Sequence, residues 1–294
     1  MRGLSFYLVD VFAEEKYAGN QLAVIRNAGG LSDVQMQKVA NEMHFSETAF
    51  VLSDKERNGG YDVRIFTPTR ELPFAGHPTL GTAYVIKHCV VDETINNIVL
   101  NLKVGQIPVT FEKTKESQEI LWMKQISPAF GRTFDAAEIS WVLNLDAEEI
   151  DSRYPVQEVS TGLPFVIVPL KTLDALKRVR IDKDKHLELT KGTQAEILVF
   201  CPQTYKKENS LNVRVFVDLY GIPEDPATGS ANGCLAGYLS HYRYFGDDMV
   251  NIRVEQGYEI GRPSLLRLKA ENREGEIYVR VGGEVLMVAS GELV

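Results

Sequence analysis

Residues 63–86 read VRIFTPTRELPFAGHPTLGTAYVI, and residues 213–239 read VRVFVDLYGIPEDPATGSANGCLAGYL. Val63–Phe66 corresponds to Val213–Phe216, and Pro73–His77 to Pro226–Ser230, with three extra residues in the second connecting loop. A long-period repeat dictates architecture before any local pattern does. The flanks agree in type. A helix pattern and the strand SETAFVL (46–52) precede the first copy; KDKHLELTKG and the strand AEILVFC (195–201) precede the second. Each half reads strand, helix, strand, strand, glycine turn, helix.

The helices after the glycine turns decide how each half packs. Leu80, Ala83, Tyr84, Val85, Ile86 and Cys89 spread around much of helix 78–89. Helix 230–242 carries Ala231, Cys234, Leu235, Ala236, Tyr238 and Leu239 with Gly233 and Gly237. A helix apolar nearly all round belongs in a core. The expected fold is therefore α+β: a curved, mostly antiparallel sheet wrapped around a central helix, built twice. Upstream, Ser32 and Gln35 form a capping box, with Leu31 and Met36 placed as a hydrophobic staple. Met36, Val39, Ala40 and Met43 then give one apolar face, and the helix should end near His44.

With 294 residues, 44% hydrophobic and 24% charged, the chain has ordinary globular composition and room for two domains. Its net charge of -8 argues against nucleic acid as a partner. Cys89, Cys201 and Cys234 show neither a disulfide framework nor metal-ligand spacing. The N-terminus meets acidic residues too early for a signal peptide, and no apolar run reaches membrane-spanning length, so a cytoplasmic protein with no membrane partner is expected. HExxH, Walker, GxGxxG and GxSxG patterns are absent, and no cofactor is expected.

Both glycine turns place small or polar residues at the start of a buried helix, where backbone N–H groups lack partners and the helix dipole is positive. Gly76, His77 and Pro78 open the first, with Pro78 expected at the first helical position. Gly229 and Ser230 open the second, with the Ser230 hydroxyl as a cap. Each is a plain helix cap or, as a matched pair, a site for a small carboxylate-bearing metabolite. Glu47 lies at a strand start among Phe45, Ala49 and Phe50. It is an exposed strand-end residue, or a desolvated carboxyl able to give and take a proton. Asp225 is a turn residue, or a group that orients His77 or binds a substrate amine or hydroxyl. His77, at a positive helix end, is expected to be neutral.

DVF (10–12), GNQLAVI (19–25), SETAF (46–50), FTPTRELPFAGHPTLG (66–81) and EDPATGSANG (224–233) together resemble the phenazine biosynthesis-like proteins along nearly the whole chain. The resemblance implies a duplicated diaminopimelate epimerase-like fold with the site between its two domains. The expected domains are 1–117 with 283–294, and 118–282, the tail 285–294 returning to the first. It also implies a homodimer and a cofactor-independent isomerase in which the glutamate of the SET motif, here Glu47, shuttles a proton. In the family's characterised enzyme the substrate is a dihydro-hydroxyanthranilate. His77, Asp225 and Ser230 fall on the supporting positions, and Gly76 and Gly229 on the two helix starts. Epimerase relatives use two opposed cysteines; the matching positions here are Ala75 and Thr228, which disfavours a two-thiol racemase, and Cys89 and Cys234 read as core residues. An amino acid epimerase using a second base, or a metabolite-binding protein that kept the fold without turnover, are the alternatives.

Overall fold

The computed structural model describes residues 3–91, 95–115, 117–193, 195–217 and 222–294; the DLYG segment of the second repeat, 218–221, lies outside them. The chain divides into two compact units, Met1–Met123 with Gly282–Val294, and Lys124–Val281.

The first unit contains β1 (Leu4–Val11), β2 (Asn20–Ile25), α1 (Asp33–Met43), β3 (Thr48–Val51), β4 (Tyr61–Phe66), β5 (Glu71–Leu72), α2 (Gly76–Cys89), β6 (Asn97–Leu102), β7 (Gly105–Lys113) and β8 (Glu119–Lys124). The second contains β9 (Ala129–Phe134), α3 (Ala136–Leu143), β10 (Val156–Ser160), β11 (Pro164–Pro169), α4 (Leu173–Arg178), α5 (Lys183–Leu189), β12 (Glu196–Cys201), β13 (Leu211–Val217), β14 (Ile222–Asp225), α6 (Gly229–His241), β15 (Val250–Gln256) and β16 (Ser264–Arg273). β17 (Glu276–Gly283) follows, and β18 (Val285–Leu293) pairs antiparallel with β1.

The duplication holds pairing by pairing. β2 and β3 run parallel, as do β11 and β12. β3 with β4 and β12 with β13 are antiparallel. The far edge of β4 is shared by antiparallel β5 and parallel β6; that of β13 is shared by antiparallel β14 and parallel β15. β18 flanks β1 as β9 flanks β10. The fold is α+β and the sheet mostly antiparallel, with two parallel pairings in each unit among the described residues.

Each sheet has an inner helix and an outer layer. α2 and α6 are the inner helices, buried along most of their length, as an apolar circumference requires. On the outer side of the first unit, Ile25, Phe50 and Phe66 pack with Met36 and Ala40 of α1, and Val39, Met43 and Leu31 close the edges. The Ser32–Gln35 capping box starts α1, and His44, in left-handed conformation, ends it. The outer layer of the second unit is larger: Ile139, Val142 and Leu143 of α3 and Leu176 of α4 cover Ala195, Ile197, Val199 and Cys201. β12 is buried on both faces, which explains its nearly unbroken apolar run.

The same arginine fastens each copy. Arg64 makes a bidentate pair with Glu71, Nε and Nη2 donating at 2.8 Å each. Arg214 makes the equivalent pair with Glu224 at 2.9 and 2.7 Å. Each also reaches the outer helices, Arg64 to Asp33 at the start of α1, and Arg214 to the Leu176 and Val179 carbonyls at the end of α4. The fork of a guanidinium matches a carboxylate in just this two-bond geometry.

Candidate active site

In the first unit, β3 sets the aim of Glu47. Thr48 and Phe50 share the outer face, since Phe50 packs against α1, so by alternation Glu47 and Ala49 are directed toward α2. There Glu47 Oε2 lies 3.5 Å from Nε2 of His77, the second residue of α2. Both side chains are largely buried, at 15% and 6% exposure. Burial pushes the His77 imidazole down to about 3, against a small opposing effect from a hydrogen bond with the Gln21 backbone. His77 is therefore neutral at physiological pH; with its other nitrogen donating to the Gln21 backbone, Nε2 faces Glu47 as an acceptor.

The start of α2 differs in detail from expectation. Extended Ala75 is the N-cap and Gly76 the first helical residue, so Pro78 stands third rather than first. This is tolerated because the first N–H with an intrahelical partner is that of Thr79, which bonds the Ala75 carbonyl. No side chain caps α2.

In the second unit, Asp225 is the last residue of β14, 8% exposed, and not in a free turn. Gly229 opens α6 and Ser230 follows it; Ser230 is not the hydroxyl cap, because Thr228 occupies the N-cap position. Thr228 does not cap the helix either. Its hydroxyl lies 2.5 Å from Asp225 Oδ2 and donates to it. The starts of both inner helices thus lack a side-chain cap, which leaves N–H groups of their first turns available to an anion.

Two features escaped the sequence reading. Register equates Thr48, opposite Phe66, with Ile197, opposite Phe216, and so Glu47 with Glu196. Glu196 is 1% exposed, and its alternate neighbours Ala195 and Ile197 face the outer cluster, which directs Glu196 to the α6 side. Aligning the flanking strands SETAFVL and AEILVFC residue by residue would have found it, since one extra residue before the second Val-Arg-x-Phe strand sets Glu47 against Glu196. The second is the amide of Gln256, fully buried beside Thr228 and Asp225; lying beyond the repeat motif, it had no signal of its own.

The cysteines offer no thiolate. Cys234 is buried and its thiol is pushed up to about 11 by burial; Cys201 is pushed up to about 12 for the same reason. Cys89 is not fully buried as expected but half-exposed at the end of α2, its thiol also raised by burial. Among the described residues, no helix is long and apolar enough to cross a membrane.

Residues 9–291 match the family model described as phenazine biosynthesis-like protein. The trans-2,3-dihydro-3-hydroxyanthranilate isomerase of Pseudomonas fluorescens is 35% identical, over 99% of this chain and 99% of its own. A crystal structure of a phenazine biosynthesis protein of the PhzF family from Bacillus anthracis superposes with a TM-score of 0.91 at 26% identity, covering all of both chains. A probable proline racemase from Agrobacterium radiobacter shares the fold, with a TM-score of 0.60 at 9% identity over 99% of this chain and 93% of its own. With a duplicated epimerase-like architecture and relatives named as isomerases along its full length, the chain belongs to the phenazine biosynthesis-like family and is an isomerase.

Proposed function

We propose that this isomerase moves a proton within a small carboxylate-bearing metabolite, a cyclic or unsaturated amino acid, with Glu47 as the proton carrier. The observation that carries the reading is the Glu47–His77 pair: a carboxyl and a neutral imidazole, 3.5 Å apart, at the uncapped start of a buried helix. A carboxyl near an acidic C–H can remove the proton and return it to another carbon of the same unsaturated system. His77, neutral and with Nε2 toward Glu47, is an acceptor for the proton when Glu47 carries it and so steadies the protonated state. Contacts of this kind are often long in the empty enzyme and tighten around substrate.

Asp225 and Ser230 are assigned to the substrate's amine or hydroxyl and carboxylate. Support comes from the buried, hydrogen-bonded carboxylate of Asp225 and from the open N–H groups at the starts of α2 and α6. The named reaction of the Pseudomonas relative makes trans-2,3-dihydro-3-hydroxyanthranilate the first compound to try. Catalysis here needs no group beyond the side chains named. A homodimer acting in the cytoplasm completes the proposal.

The test is incorporation of solvent deuterium into that compound and a panel of cyclic amino acids, comparing native protein with Glu47→Gln. General acid–base groups contribute about 10²–10⁴-fold, so exchange should fall by at least about a hundredfold in the variant. Equal exchange by both proteins removes Glu47 from the mechanism. Tight binding of such anions with no exchange by the native protein would favour a binding protein instead.

A further inference from the structure

We infer that Thr228 and Gln256 are positioning residues that hold the Asp225 carboxylate ionised and aimed, through a one-directional chain of hydrogen bonds running from Asn232. This rests on the proposed assignment of Asp225 to substrate.

The direction of the chain is fixed by groups whose roles cannot change. The backbone N–H of Thr228 must donate, and it meets Gln256 Oε1 at 3.2 Å. The carbonyl of Asp225 must accept, and it meets Gln256 Nε2 at 2.8 Å. The Gln256 amide therefore has only one permissible orientation; flipping it would set donor against donor and acceptor against acceptor. Oε1 also accepts from Asn232 Nδ2 at 2.9 Å, and Nε2 also donates to Thr228 Oγ1 at 3.1 Å. All four hydrogen-bonding positions of the amide are used. With its oxygen accepting from Gln256, the Thr228 hydroxyl turns its proton to Asp225 Oδ2, 2.5 Å away. Gln256 and Asn232 are fully buried, where successive bonds polarise one another.

The first unit is the internal control. Register and repeat place Leu72, Ala75, Thr79 and Leu102 where the second unit has Asp225, Thr228, Asn232 and Gln256. Only the bond from position 79 or 232 to the N-cap carbonyl survives in both, Thr79 Oγ1 to Ala75 at 2.7 Å and Asn232 Nδ2 to Thr228 at 3.1 Å. The same turn and helix form without the remaining chain, so the fold does not require it. What the chain adds is a directed hydrogen bond to one carboxylate. Backbone crowding holds the arrangement: a Cβ on Gly257, the residue after Gln256, would sit 2.6 Å from the Pro226 carbonyl.

Among the described residues, the charged groups on the surrounding elements are Arg214 and Glu224 across β13 and β14, Arg253 and Glu255 on β15, and Glu259 and Arg262 in the turn that follows. None is altered by the variants below, so a difference among them isolates the Thr228 bond.

The test is a carbon-13 titration of the full chain labelled at aspartate carboxyls, with Asp225 assigned by its loss in Asp225→Asn. A hydrogen bond to the ionised form lowers a carboxyl's pKa. In Thr228→Val, Asp225 should titrate about one pH unit or more higher than in native protein. Gln256→Leu, which copies Leu102, should shift it in the same direction, while Thr228→Ser keeps the native curve. Unchanged Asp225 curves in both Thr228→Val and Gln256→Leu overturn the inference. The titration needs no turnover: the functional role of Asp225 stands or falls separately, on whether Asp225→Asn loses deuterium exchange.

Discussion

Glu47 and His77 are close enough to interact, yet burial decides which charge the histidine can carry. The imidazole, near 6.5 in an unfolded chain, is pushed down to about 3 in the fold. Above pH 6.5 the imidazole is neutral in both states and His77 contributes no pH dependence. Below it the unfolded chain takes up a proton that the folded protein refuses, so stability falls with pH until about 3. The slope is at most about 1.4 kcal/mol per pH unit. His77→Gln should therefore lose less stability than native protein between pH 6.5 and 4, measured by denaturant unfolding at each pH. If the two profiles run parallel, His77 is protonated in the folded state. The chemistry of these residues was partly legible from sequence: a histidine at a helix start reads as neutral, while a glutamate among Phe45, Ala49 and Phe50 reads either as an exposed strand end or as desolvated. The aim of Glu47 was not legible, because it depends on which face of β3 meets α1. Ser230 was misread as a cap for a similar reason, since α6 starts early enough to put the N-cap two residues upstream, at Thr228.

Elements were read best where their signals are local. The capping box at Ser32 and the four-residue apolar face defined α1 because both act within one or two turns. The short strands β5 and β14 carried no such signal; they exist because β4 and β13 offer an edge to pair with. The inner helices pack so closely that their small residues are fixed by the sheet rather than by helix preference. A Cβ on Gly81 would stand 2.6 Å from Leu22 Cδ2 and 2.9 Å from Val11 Cγ2, both on fully buried side chains. Alanine gains about 1 kcal/mol over glycine in helix propensity. Overpacking a closed core costs about 1–3 kcal/mol. With three buried side chains, Val9 included, in the way, the second effect should win. Gly81→Ala is expected to lower stability by about 1 kcal/mol, whereas Gly30→Ala, where a Cβ meets nothing within 4 Å, should not. A more stable Gly81→Ala protein would mean that α2 has slack against β1 and β2.

Across the whole molecule the duplication was visible in sequence because the Val-Arg-x-Phe strand and the glycine turn recur in order. Its reach was only partly visible: the match of parallel and antiparallel pairings emerges only from register, which also sets Glu47 against Glu196. Comparing the copies gives two classes, structural pairings made in both units and hydrogen bonds made in one alone, and the second class invites a functional account. The arginine clamps belong to the first class, but they are not equally enclosed. Arg214 and Glu224 are 5% and 7% exposed, while Arg64 and Glu71 are 21% and 15%. Removing one partner of a buried pair leaves a charge without compensation and costs about 3–5 kcal/mol, and the penalty shrinks with solvent access. Arg214→Met should therefore destabilise by about 3 kcal/mol or more, and Arg64→Met by clearly less. The two tryptophans allow the units to be followed one at a time: Trp122 lies in the first and Trp141 in the second. Urea unfolding of Arg214→Met in a Trp122→Phe background should show the early transition, and Arg64→Met with Trp141→Phe a smaller shift. Adding Glu224→Leu to Arg214→Met should recover most of the loss, since neither charge then remains buried alone. Equal losses from the two arginines would place the cost in the bonds to the outer helices, which both clamps make, rather than in the buried carboxylate.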